Sequence, residues 1–164
     1  MRNSQVGHRT RASCAMFGAG DVSAGECGVG VQMNRQGLTT VESHFPVAET
    51  IERLADAASA AGLLIFARID HAQGALDAGM TLRPTVLLMF GNPTGGTPLM
   101  QDRQTAGIDL PVKALAWEDE IGRVWLTYND ATWIADRHSL SPTSTSSVAA
   151  INTGLANLVT AATA

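Results

Sequence analysis

The sequence predicts an α+β domain, a two-layer sandwich in which a largely antiparallel sheet carries helices on one face. Three observations lead there. Segments rich in β-branched and apolar residues alternate with segments of helical period from residue 38 onward. The apolar segments 112–117 and 123–128 are separated by a short polar turn, a hairpin that excludes a purely parallel sheet. The run Val86-Leu87-Leu88-Met89-Phe90 is apolar at five successive positions, which suits a strand covered on both faces better than a surface strand.

Each element has its own signal. Thr39, Val41 and Ser43 alternate with Leu38, Thr40 and Glu42, a strand pattern rich in β-branched residues. Pro46 suits a first helical turn, and Val47, Ile51, Leu54 and Ala58 recur at helical spacing until Gly62 stops the helix. Residues 63–69 form a second strand, apolar enough to be interior. Asp70 caps a short helix over 71–78, which Gly79 ends. A third strand spans 82–90 and properly begins beyond Pro84. Thr97 and Pro98 pair as cap and first turn of a short helix over 99–105. After the hairpin, Asn129 and Asp130 cap a helix over 131–138. A Ser/Thr-rich linker, 139–147, precedes a last amphipathic stretch with Val148, Ile151, Leu155 and Leu158. No internal repeat is present.

With 164 residues, 45% hydrophobic and 16% charged, the chain is long enough to bury a core without staples. Residues 1–36 differ from the rest. They are glycine-rich, lack a helical or alternating period, and hold four arginines against two acidic residues; the remainder holds seven basic against thirteen acidic. We expect a poorly structured extension over 1–36 and one domain over 37–164. The apolar segment 12–20 is short and glycine-broken, with no convincing cleavage signal for a targeting peptide. An acidic body lacks the clustered cations that a phosphate backbone requires, so nucleic acid is not an expected partner. No window of eighteen apolar residues marks a membrane span. Cys14 and Cys27 both lie in the extension, and with nothing else pointing to secretion the expected compartment is the cytoplasm.

Several segments stand together in order: Phe66-Ala67-Arg68-Ile69-Asp70-His71, Leu82-Arg83-Pro84-Thr85, Phe90-Gly91-Asn92-Pro93, Gly96-Thr97-Pro98-Leu99-Met100, Ile108-Asp109-Leu110-Pro111, and Trp117-Glu118-Asp119 with Trp125, Tyr128 and Asn129. This set resembles the bacterial and archaeal family catalogued as domain of unknown function 302, over residues 38–140 and more weakly the final helix. The resemblance implies a small α+β protein with an antiparallel sheet, helices against one face, a TATA-binding-protein-like topology and homodimer formation. It implies no activity, and no catalytic residues carry over.

The candidate site residues come from the chain itself. Asp70 and His71 are the most chemical-looking pair. Asp70 can cap a helix with His71 in its first turn, or His71 can serve as a metal or haem ligand, with His138 as a partner, or as a general base. The glycine-rich loop 91–97 leads toward a helix start, a geometry that holds anions, but it lacks the lysine of a phosphate loop and the spacing of a dinucleotide fingerprint. A tight turn needs the same glycines. Arg83 is the natural cation beside that loop, or else a surface ion-pair partner. Glu118-Asp119-Glu120 reads as a solvated turn rather than a hard-metal cluster, and Trp117, Trp125 and Tyr128 as core or interface aromatics. Hydrolase, zinc-protease, paired-cysteine, EF-hand and kinase motifs are all missing.

The sequence thus points to a small-ligand-binding or oligomeric interaction module. Asp70, His71, Arg83, Asn92 and Thr97 would form its polar rim, near the ends of the second and third strands. Two alternatives stay open: a metal- or haem-dependent enzyme using His71, and a purely structural or partner-binding protein. A homodimer and a small-molecule ligand are the expected partners, without nucleic acid or membrane. No cofactor is identified.

Overall fold

The computed structural model of the protein describes residues 31–33 and 37–164. Its sheet is built from β1 (Val31–Met33), β2 (Leu38–Ser43), β3 (Leu64–Asp70), β4 (Thr85–Gly91), β5 (Val112–Glu118) and β6 (Val124–Asn129). The spatial order is β1-β2-β6-β5-β4-β3, and every neighbouring pair is antiparallel. Among the described residues five helices accompany it: α1 (Val47–Ala60), α2 (His71–Asp77), α3 (Pro93–Asp102), α4 (Ala131–His138) and α5 (Thr145–Thr163). This is the α+β, one-sided arrangement that the hairpin and the periodicities predict.

The core lies between the sheet and the pair α1–α5. Along β4, Val86, Leu88 and Phe90 are buried while the residues between them are only half-buried. They meet Ala114, Ala116 and Leu126 of β5 and β6, and Ile51, Leu54 and Ala58 of α1, whose spacing brings these three onto one stripe. Leu155, Leu158, Val159 and Ala162 of α5 complete the layer. A second, smaller cluster joins Leu99, Ala106, Ala131 and Val148; Ile151 of α5 packs against both clusters.

Four expectations need correction. Among the described residues the apolar run of β4 is covered by helices on one face only, because α1 and α5 both lie on the same side. β3 is an edge strand rather than an interior one, with Leu64, Phe66 and Ile69 exposed at 55%, 52% and 41%. The helix expected to begin at Thr97-Pro98 starts earlier: Asn92 caps it, Pro93 opens it, and Pro98 lies inside. The same cap-plus-proline chemistry occurs twice in that stretch, and the first copy starts the helix.

The fourth concerns the Ser/Thr-rich linker, which is ordered. It contains a 3-10 turn, Pro142–Ser144, and the start of α5. The Asp102 carboxylate accepts hydrogen bonds from Ser141 N, Ser141 Oγ and Ser144 Oγ at 2.6, 2.9 and 2.8 Å. The Ser144 hydroxyl and the Ser141 amide hold that carboxyl below its ordinary pKa against the opposing effect of burial. Of the expected extension 1–36, Val31–Met33 is a strand paired with β2, and the rest lies outside the described residues.

Candidate functional site

The five residues expected to share one polar rim lie at two ends of the sheet. β3 and β4 are antiparallel, so Asp70 pairs with Val86 at the start of β4, while Leu64 pairs with Gly91 at its end. Asp70, His71 and Arg83 therefore gather at one end, and Asn92 and Thr97 follow from the other. Seven residues of extended chain, at about 3.3 Å each, set roughly 20 Å between the ends. Arg83 is accordingly not the cation beside the glycine loop; its Nε donates to Glu118 O at 3.0 Å.

At the Asp70 end the polar groups serve the fold. Asp70 Oδ1 accepts from Gln73 N at 2.9 Å and caps α2, as its position before the helix predicts. His71 is exposed in the first turn. His138 belongs to the opposite end, where its Nε2 faces Asp109 Oδ2 at 2.7 Å and its Nδ1 faces Thr105 Oγ1 at 3.1 Å. The two histidines thus cannot share a metal ion. Among the described residues no group of three or more His, Cys, Asp or Glu side chains could hold one.

The acidic turn differs from the solvated turn expected. Asp119 is buried, with its carboxylate accepting from Ile121 N, Arg123 N, Arg123 Nε and Trp125 Nε1 at 2.9–3.0 Å. Burial pushes its pKa up, but these donors, Trp125 first, outweigh burial and hold the group well below the usual carboxylate range. It is a hairpin clasp.

The Gly91 end is concave. A cavity of about 730 Å³ opens there between β4, α3, the start of β5 and α5. Its floor is apolar, from Phe66, Phe90, Met100, Leu110, Leu155 and Leu158. Asn92, Thr94, Thr97, Ser146 and Ser147 supply polar groups, and among the described residues no charged side chain lines it. Asn92 Oδ1 is occupied by the cap bond from Thr94 N at 2.8 Å, whereas its carboxamide nitrogen has no hydrogen-bond partner among the described residues. The same holds for the hydroxyls of Thr94, Thr97, Ser146 and Ser147. Such a site suits a molecule with an apolar body and an uncharged polar end.

One wall is pinned from outside. Asp109, just before Leu110, accepts from Arg137 Nη1 at 3.2 Å and its carbonyl accepts from Lys113 Nζ at 3.1 Å, besides facing His138. The sequence reading found Asn92 and Thr97 but missed the apolar floor and the serines, which come from segments far apart in the chain. The one available signal was Gly154 in the middle of the last helix, where an added Cβ would meet nothing within 4 Å. A smaller hollow of about 360 Å³ beside Asp70 is lined by Val47, Leu76, Met80 and Leu82 among others.

Fold and cavity define a small α+β sandwich with one helical layer and an apolar pocket at one end of the sheet. The model of the family described as "Domain of unknown function DUF302" matches residues 39–160, and the chain belongs to that family. The crystal structure of an uncharacterized conserved DUF302 protein from Bacillus stearothermophilus has the same fold, with a TM-score of 0.69 at 20% identity, covering 77% of this chain and 98% of that one. Two curated relatives are each 56% identical over 118 residues, or 72% of this chain: fluoride-specific ion channel FluC 1 of Brucella suis biovar 1 and FluC 1 of Brucella abortus biovar 1. The matched part is 46% and 44% of those proteins, so the chain spans under half the length of the curated relatives it matches.

Proposed function

We propose that this domain is a binding module for an uncharged, largely apolar small molecule, held in the cavity beside the Gly91 end of β4. The observation that carries the reading is the cavity's composition among the described residues: an apolar floor, uncharged polar groups without a hydrogen-bond partner, and no charged side chain. The test uses the uncharged fluorescent probe N-phenyl-1-naphthylamine. Saturable binding to the full chain is expected, and Gly154→Phe should weaken it at least tenfold. That substitution fills open space on α5 and replaces a helix-weakening residue, so the thermal midpoint should hold or rise. A Gly154→Phe chain that binds the probe like the parent sinks the proposal.

A second reading is favoured by the Brucella relatives, in which a domain of this kind is part of a polypeptide named as a fluoride channel. No described helix of this chain is long and apolar enough to cross a membrane, so a pore in those relatives must draw on their other part. We infer that this chain is an accessory domain to such a channel, with the cavity as its sensing site. The absence of cysteine from residue 37 onward suits a reducing compartment such as the cytoplasm. Co-purification with the unmatched portion of a Brucella relative in detergent is the check. No complex at micromolar concentrations would remove this second reading and leave the first.

A further inference from the structure

A polar cluster at Asp109 has no part in the cavity lining. Of the three histidines described, His44 and His71 are exposed, whereas the His138 side chain is only 8% exposed. Its Nε2 faces the Asp109 carboxylate at 2.7 Å, and its Nδ1 faces Thr105 Oγ1 at 3.1 Å. A carboxylate can only accept, so in the neutral ring the proton sits on Nε2. Nδ1 is then a bare lone pair, and the Thr105 hydroxyl donates to it. The other Asp109 oxygen accepts from Arg137 Nη1 at 3.2 Å, which fixes the carboxylate as the carboxylate fixes the ring. Thr105 itself is exposed, on the 3-10 turn Gln104–Ile108. A shielded base, oriented by a carboxylate and holding an outward-facing hydroxyl, is the arrangement that activates a nucleophile. Such constellations are recognised by geometry and not by sequence order, so the missing hydrolase motifs do not bear on it.

We propose that Thr105 is an acyl-accepting nucleophile toward small carboxylic esters, with His138 as its general base and Asp109 positioning the ring. Thr105 Oγ1 bonds to the ester carbonyl carbon while its proton passes to His138 Nδ1. The bond from that carbon to the alkoxy oxygen breaks, and the alcohol leaves with the proton. Water, giving its proton to the same nitrogen, then cleaves the acyl-threonine, which releases the carboxylic acid and restores the hydroxyl. Thr105 lines neither hollow, so a small ester, which needs no deep pocket, is the class that fits. For the same reason the reaction stands or falls apart from probe binding in the cavity.

The test is p-nitrophenyl acetate on the full chain, read by nitrophenolate release and by peptide mass mapping. Background is low, since Lys113 is the chain's only lysine. Thr105 should gain the acetyl group at least tenfold faster than Thr160, an exposed threonine whose hydroxyl donates to Ala156 O at 2.9 Å. His138→Gln keeps a donor for Asp109 and an acceptor for Thr105, so the thermal midpoint should hold. Acylation should nonetheless slow about 100-fold, the low end of what a general base contributes. Thr105→Ser should still take up the acetyl group, and Thr105→Val should release nitrophenolate only at the background rate. For Asp109 the readout is nitrogen NMR of the neutral imidazole. The parent should show the Nε2-protonated ring, and Asp109→Asn a mixture of both tautomers with slower acylation. Three results would each overturn the inference and leave the cluster a structural pin: Thr105 labelled no faster than Thr160, a His138→Gln chain that reacts like the parent, or a parent ring protonated on Nδ1.

Discussion

The two ends of β4 hold similar inventories of polar residues and put them to opposite uses. At the Thr85 end, Asp70, Arg83 and Asp119 are spent on caps and clasps, each with a backbone or indole partner. At the Gly91 end, Asn92, Thr94, Thr97 and two serines keep polar groups without a partner among the described residues, around an apolar hollow. Polar residue type alone does not mark a site. What marks it is hydrogen-bonding capacity left over once the fold has taken its share.

The contrast can be broken most forcefully at Gly37. This residue has φ of +75°, and a Cβ there would lie 2.0 Å from Trp133 Cγ, in the helix that follows β6 at the cavity's end of the sheet. Its carbonyl also accepts from Asp130 N at 2.8 Å. Gly37→Ala combines a left-handed backbone with overpacking, and should cost roughly 2–4 kcal/mol in a denaturant melt. Little change would mean that Trp133 swings away freely and that this end is loosely built.

The clasp end should show itself through pH. The Asp119 carboxyl is held below its unfolded value, so its contribution is present above about pH 4 and is lost as pH falls further toward the folded value. Asp119→Asn should therefore be clearly less stable than the parent at pH 7, with the gap narrowing at pH 3. A gap that stays constant, or widens in acid, would show that the clasp does not depend on ionisation.

The smallest effect is expected at His71. Exposed, with no hydrogen bond to the described residues, it should tolerate Ala within about 0.5 kcal/mol, with no change in probe binding at the other end of the sheet. Loss of binding on His71→Ala would reunite the two ends into one site and favour an enzyme or ligand role for this residue.

Most elements were legible because each has a local cause. The stripe Val47, Ile51, Leu54 and Ala58 gives α1, Asp70 and Asp130 cap their helices, and the 112–128 hairpin is as expected. What could not be read was which strand lies at the edge and which face is left open. Leu63 to Ile69 and Val86 to Phe90 look equally interior, since an apolar run does not say what covers it. The candidate site suffered most. Grouping Asp70 with Asn92 assumed that two strands end together, and antiparallel pairing sends those ends apart. Asp119 was misjudged for a related reason: consecutive carboxylates suggest water, but the indole and guanidinium that claim one of them follow the turn.

α5 has one further consequence. Val148 belongs to the smaller apolar cluster and Leu155 to the larger, and Ile151 touches both. Neither cluster can come apart without disturbing this helix, so the domain is wired to melt in a single cooperative transition rather than in two. Because Ile151 and Leu155 also line the cavity, anything bound there draws on the free energy of the whole fold. Occupancy would then be felt as resistance to unfolding everywhere in the chain, not only beside the bound molecule.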